Sequence, residues 1–297
     1  MIISREARLA LIPVLFVWLW STGFVGAKLG TPYMDPLLLL TFRFAIVIPI
    51  FIGLIAFFKA PPVIRAEIPM QIFIGILLHG FYLGGVFVAV RYGTPAGISA
   101  IFVGLQPVLT VAVNASFFGM RITKIQTLGL MLGFGGLVAV ILGSQEMTSA
   151  EFGPIGFLCC TISLLGITAA ALLQKHYAAK TPLLGGSAWQ YFGGLLVVAP
   201  ASFFFETGVF ENTWQIYVAI GWLVLALSVI AVLLLLYMIR EGALEKVSAY
   251  MYLVPPVAAI QTWVFFGEAL SLISIAGCVV VVIGVAMVVR KTSSGVE

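Results

Sequence analysis

His79 and Tyr82 stand three residues apart near the middle of a long apolar stretch of this 297-residue chain. On a helix that spacing puts both rings on one face. An imidazole and a phenol so placed can hold a polar solute, pass a proton, or bond to a neighbouring helix. Arg43 lies inside another apolar stretch, about seven residues or roughly 10 Å from its end. Its guanidinium can grip a carboxylate with two donors or bond to carbonyls between packed helices. Ser99, Gln106, Thr110 and Asn114 follow at offsets of 7, 11 and 15, which trace nearly one helix face. Trp18 and Thr22, four apart, share a face too. An aromatic wall there would suit an apolar or aromatic solute or hold an ammonium, and it would equally serve as packing.

These are binding groups, not a bond-breaking set. The apolar stretches hold no cluster of acid, base and nucleophile and no H-E-x-x-H pair, which speaks against an enzyme. No G-x-x-x-x-G-K-[ST] loop is present, so this chain alone cannot be driven by nucleotide hydrolysis. Cys159, Cys160 and Cys278 match no zinc or redox spacing, and neither metal nor cofactor is expected.

The elements that must position these groups are transmembrane helices. Hydrophobic residues make up 62% of the chain and charged ones 9%, against about 25% charged in soluble domains. Fifteen basic and eleven acidic side chains cannot cover a soluble protein of this size. A soluble enzyme, a nucleic-acid binder and a disordered scaffold are excluded. Crossing the hydrocarbon core takes about 20 apolar residues. Ten runs meet that need, at 9–28, 36–58, 69–90, 96–118, 125–142, 153–175, 184–205, 216–239, 247–266 and 272–289. None alternates like a barrel strand. The expected fold is an all-α integral membrane protein of ten spans, the first being a span and not a cleaved signal. Short links such as Thr31-Pro32-Tyr33-Met34-Asp35 and Gly93-Thr94-Pro95 join antiparallel neighbours.

Basic residues set the orientation. With the N-terminus inside, twelve of the fifteen, including Arg5, Arg8, Lys59, Arg65 and Lys124, fall on the cytoplasmic side. The other side holds only Lys28 and Arg91. Both termini are therefore expected in the cytoplasm.

The chain also repeats itself. Arg91, Gly93, Ser99, Ala100 and Pro107 match Arg240, Gly242, Ser248, Ala249 and Pro256 at a constant offset of 149. One residue is then lost, and Gly129 and Gly136 match Gly277 and Gly284. The division expected is 1–146 and 147–297, five spans each. An odd number of spans makes the second copy enter from the opposite side, an inverted pair of the kind that builds secondary transporters with a midplane solute site. The same offset places His79 on Ser228, so these two are expected to face each other across a central cavity. It also places Val103 on Tyr252, giving the ninth run a face of Ser248, Tyr252, Pro255 and Trp263. Pro107, Pro255 and Pro256 should kink the fourth and ninth spans, freeing carbonyls for a solute or simply bending the helix.

Leu19-Trp20-Ser21-Thr22-Gly23-Phe24, the stretch 36–44 ending Phe42-Arg43-Phe44, the stretch 97–119 with Pro107, and 254–268 ending Phe266-Gly267-Glu268 carry a family resemblance. Together they resemble the EamA-type branch of the drug/metabolite transporter superfamily over essentially the whole chain. Within it the chain is similar to bacterial amino acid exporters of the aromatic amino acid exporter type. One departure is Gly119-Met120, where the resemblance implies Gly-Glu as at Gly267-Glu268.

The resemblance implies a bacterial inner-membrane exporter of amino acids or related metabolites, working by alternating access. It also implies that Arg43 is a structural intramembrane charge. The substrate-binding residues expected are His79, Tyr82, Gln106, Ser99, Trp18, Thr22, Ser228 and Tyr252. Proton coupling through His79 and uncoupled, channel-like permeation both remain open, and the partners expected are a small-molecule substrate and the lipid bilayer, with no nucleic acid, for a monomer.

Overall fold

The computed structural model describes residues 5–117, 123–143, 153–178, 180–240, 253–267 and 271–289. Among these the regular structure is helix, with one isolated antiparallel bridge between Met34 and Phe210. Helix is the expected outcome for apolar sequence in a bilayer, because it satisfies every backbone group within its own segment. Among the described residues, seven helical stretches are long and apolar enough to cross a membrane: Leu11–Gly30, Pro36–Phe58, Arg65–Arg91, Ala96–Val113, Pro154–Tyr177, Leu183–Phe205 and Trp214–Leu235. The fifth run carries the helix Lys124–Gly143, while the ninth and tenth carry shorter apolar helices, Val254–Phe266 and Leu272–Gly284. The chain is an all-α, multi-pass membrane protein.

The helices gather into two compact units that cut across the sequence halves. One comprises Met1–Val25, Pro95–Phe152 and Ala231–Glu297; the other comprises Gly26–Thr94 and Gly153–Ile230.

In the first unit the fifth and tenth segments pack backbone against backbone. A Cβ on Gly136 would meet the Val281 nitrogen at 2.7 Å and the Gly277 carbonyl at 2.8 Å. A Cβ on Gly284 would meet the Gly133 nitrogen at 2.5 Å and the Gly129 carbonyl at 2.6 Å. As numbers rise from 129 to 136 on one helix, partner numbers fall from 284 to 277 on the other, so the two helices run antiparallel. The contact is also self-reciprocal: shifting each residue of the first pair to its repeat mate produces the second pair. Away from this seam Met131, Phe134, Ile275 and Val279 are exposed, as lipid-facing residues would be.

The fourth segment is interrupted as its proline requires. Pro107 has no N–H for the Val103 carbonyl, and the helix stops at Val103 and restarts at Gln106. Gly104, in the gap, lies against Pro255 of the ninth segment, and Gly97 lies 3.1 Å from the Thr262 hydroxyl by its Cβ direction. The break of the fourth segment thus lies against the first turn of the helix Val254–Phe266, where Pro255 and Pro256 stand.

In the second unit the third segment is the central element, and it changes winding along its length. It runs from a 3-10 turn, Arg65–Glu67, through an α-helix, Ile68–Gly75, and a π-helix, Ile76–Leu83, to a second α-helix, Gly84–Arg91. The eighth segment has a π-helix as well, Leu223–Ala231. The two wide turns occupy nearly equivalent places under the 149-residue offset. Glycines let the neighbours close in on the third segment. Gly75 and Gly193 lie on the backbone of Gln190 and Ile72 respectively, joining the third and seventh segments; Gly85 and Gly166 do the same with the sixth.

Polar bonds close both ends of this unit. Pro36 opens the second segment without an N–H, and the next donors, Leu37 and Leu38 N–H, reach the Glu206 carboxylate at 2.7 and 2.8 Å. A carboxylate there also suits the positive end of the helix dipole. The Val209 N–H donates to Asp35 at 2.9 Å beside it. Elsewhere a buried chain runs from Glu67 to the Thr181 hydroxyl (2.8 Å), from Thr181 to Gln71 (3.1 Å), and on through Gln190 (2.7 Å) to Gln174 (2.8 Å).

Candidate functional site

The π-helices hold the candidate site of the second unit. His79 sits in the middle of the first, is 8% exposed, and lies flat on the Tyr191 ring with centroids 4.3 Å apart and planes 14° apart. Phe44 tilts against both rings at 5.4 and 5.6 Å, and Phe51 closes the far side of Tyr191 at 5.5 Å. Gly194 makes the stack possible, because any Cβ there would run into the His79 Cβ. Tyr82, three residues on in the same π-helix, is buried as well.

Arg43 brings the rest together. It is 4% exposed and directs Nε and Nη2 to the Ser228 hydroxyl at 3.1 and 3.0 Å. Ser228 in turn donates to the Leu223 carbonyl five residues back at 3.1 Å, inside the second π-helix. Arg43 also lies within electrostatic reach of His79, Tyr82 and Tyr191. The second, third, seventh and eighth segments thus meet at one guanidinium. Its bonds to Ser228 link the second and eighth segments. No carboxylate among the described residues hydrogen-bonds to Arg43 or His79.

One buried polar atom of this cluster stays unanswered. His79 Nδ1 is buried without a hydrogen-bond partner. Leaving such a group unpaired costs about 1–3 kcal/mol, and a bound solute with a complementary group would recover it. Ser228 is placed differently from the expectation: fully buried, it spends its hydroxyl on Arg43 and Leu223 and does not present it to a cavity.

The remaining site residues belong to the first unit. Thr22 is buried and bonds to the Leu19 carbonyl of its own helix at 2.5 Å. Trp18 is 43% exposed, and its carbonyl accepts from Gln261 at 3.1 Å. Ser99 is fully buried, whereas Gln106 is half-buried and donates to Thr110, whose hydroxyl returns to the Gln106 carbonyl at 2.8 Å. Ser248, Tyr252, Met120 and Glu268 lie outside the described residues.

Two residues escaped the sequence reading. Tyr191 left only the signal of a single phenol in the run 184–205; Gln261, in the helix Val254–Phe266, ties the ninth segment to the first and leaves its Oε1 unpaired.

The family model for the EamA-like transporter family matches twice, over residues 8–142 and 154–290. The chain belongs to the EamA-like transporter family. This EamA-like chain is 25% identical to a Bacillus subtilis protein named "Uncharacterized transporter YvbV", over 97% of this chain and 94% of that one. It is 25% identical to the "Uncharacterized inner membrane transporter YedA" of Escherichia coli, over 91% and 87%. It is 24% identical to a Salmonella typhimurium protein named "Probable amino-acid metabolite efflux pump", over 92% of each. A solved crystal structure shares the fold, with a TM-score of 0.67 at 22% identity over 98% of this chain and 100% of that one. The EamA-like chain is accordingly a membrane transporter.

Proposed function

We propose that this transporter exports small organic solutes, amino acids including aromatic ones or related metabolites, by alternating access across a bacterial inner membrane. The observation that carries the reading is the buried cluster of Arg43, His79, Tyr82 and Tyr191 between two π-helices, with His79 Nδ1 unpartnered. π-turns recur at functional sites because they aim side chains that an α-helix would turn elsewhere. Stacked aromatic rings beside an imidazole nitrogen without a partner suit a solute with an apolar body and a hydrogen-bonding group. The Salmonella relative's name, at 24% identity, agrees with this choice of solute, and the name of the Escherichia coli relative agrees with the location.

In this reading the chain is two inverted five-span copies, 1–146 and 147–297, with both termini cytoplasmic, with His79, Tyr82, Gln106, Ser99, Trp18, Thr22 and Tyr252 as substrate-binding residues, and with Ser228 holding Arg43. The antiparallel, self-reciprocal contact of the fifth and tenth segments supports the inversion. Counterflow of radiolabelled amino acids into proteoliposomes tests the proposal. Saturable exchange is expected, with aromatic amino acids among the competitors, and no saturable exchange of any amino acid would end it.

A second reading, uncoupled permeation, is favoured by one observation: no carboxylate among the described residues hydrogen-bonds to His79 and could relay its proton. Flux that persists unchanged when the pH gradient is collapsed is its expected signature.

A further inference from the structure

A cleft of about 630 Å³ lies apart from the cluster, within the second unit. Ile48, Ile52 and Ile55 form one wall, the connector after the second segment forms the floor, and Trp189 with Phe192 of the seventh forms the other wall. From Ile48 to Ile55 the apolar wall runs roughly 10 Å along the helix. Ile52 and Phe192 are exposed, so the cleft opens on the side where membrane-spanning helices meet lipid.

Its connector end is cationic. Arg65 lines the cleft, and Lys59 stands between the lining residues Ile55 and Pro61. Both side chains are exposed, and among the described residues neither charged group makes a hydrogen bond or ion pair. The nearby acid, Glu67, is occupied by Thr181. Lys59 holds a left-handed conformation, φ 49° and ψ 43°, with Ala60 N–H donating to the Ile55 carbonyl at 3.0 Å. That end of a helix ordinarily takes glycine. A lysine there keeps a cation where backbone geometry alone would favour no side chain.

We propose that this cleft binds an anionic phospholipid, one acyl chain lying along the isoleucine wall and the headgroup phosphate held by Lys59 and Arg65. Basic residues at the end of an apolar groove between helices are the chemistry of anionic headgroup recognition, and an indole at that depth belongs at the membrane interface. The site is independent of the solute pocket and of what the protein transports.

The test uses purified full-length protein in mild detergent, titrated with phosphatidylglycerol or phosphatidylcholine of identical acyl chains and read by native mass spectrometry. One phosphatidylglycerol should be retained with an apparent Kd about tenfold lower than that of phosphatidylcholine. Lys59→Gln with Arg65→Gln should bring the two lipids within about threefold, and Ala188→Trp, which fills the cleft, should release both. Equal retention of the two lipids by the unaltered protein, or a preference unchanged in the double variant, overturns the proposal. Phosphatidylglycerol with dibrominated chains supplies a second readout. The quenching difference between unaltered protein and Trp189→Phe should exceed that seen with dibrominated phosphatidylcholine, and equal quenching would overturn the idea as well.

Discussion

The fifth–tenth seam and the Arg43–His79 cluster treat the internal repeat in opposite ways. At the seam, mates are identical: Gly129 and Gly136 repeat as Gly277 and Gly284, and the contact maps onto itself. In the cluster the mates differ: His79 corresponds to Ser228, and only the π-winding of the two segments is shared. Symmetric small residues build a brace that both copies need. Where the backbone keeps the symmetry but the side chains abandon it, the cluster has a chemistry of its own.

That contrast breaks most visibly at the seam. Gly136→Leu would push a side chain into the Val281 and Gly277 backbone, which cannot rotate away. Overpacking of this kind costs about 1–3 kcal/mol and sometimes more, so a large drop in melting temperature in detergent is expected. Gly284→Leu should cost nearly the same, because it makes the mirrored contact. Gly135→Leu, with nothing within 4 Å, should leave the melt in place. Unequal losses at 136 and 284 would show that the reciprocity is only apparent.

Next in size is Arg43→Ala. It removes two donors from Ser228 in a buried setting, and hydrogen bonds to charged groups contribute about 1.5–3 kcal/mol. Lower yield and melting temperature are expected, and Arg43→Lys should rescue little, since an ammonium cannot reproduce the planar two-donor geometry. Normal stability with abolished counterflow would turn Arg43 from a cross-link into a solute ligand.

His79→Ala should act the other way round. Its Nδ1 has no partner to lose, so the cost to the fold is confined to the ring's packing on Tyr191 and Phe44, while counterflow should fall about tenfold, equivalent to roughly 1.4 kcal/mol of solute binding. Flux equal to that of the unaltered protein would remove His79 from the pocket.

How much of this was legible follows from the kind of signal each feature leaves. The apolar runs and Pro107 speak through period and backbone chemistry, which act locally, and the helix break at Val103 falls where the missing N–H requires it. The repeat was readable because glycines at close contacts tolerate no replacement. His79, Tyr82 and Arg43 stood out because polar groups in apolar runs are rare. Their partners did not: that Arg43 meets Ser228, 185 residues away, and that His79 stacks on Tyr191 depend on tertiary packing that no local pattern encodes. The division into units that draw on both halves was hidden for the same reason.

The smallest effect is expected at Gln106, and it separates the two units' polar groups most finely. Spacing alone makes Gln106, Thr110 and Ser99 a stripe comparable to the His79 face. In the structure Gln106 and Thr110 satisfy each other on one helix, Nε2 to hydroxyl at 3.1 Å and hydroxyl to carbonyl at 2.8 Å. Gln106→Ala removes one neutral, half-exposed bond of about 0.5–1.5 kcal/mol at most, and Thr110 keeps its own. The melt should therefore shift little, and the apparent affinity in counterflow should change less than for His79→Ala. An affinity loss as large as that of His79→Ala would mean that Gln106 leaves Thr110 to meet the solute.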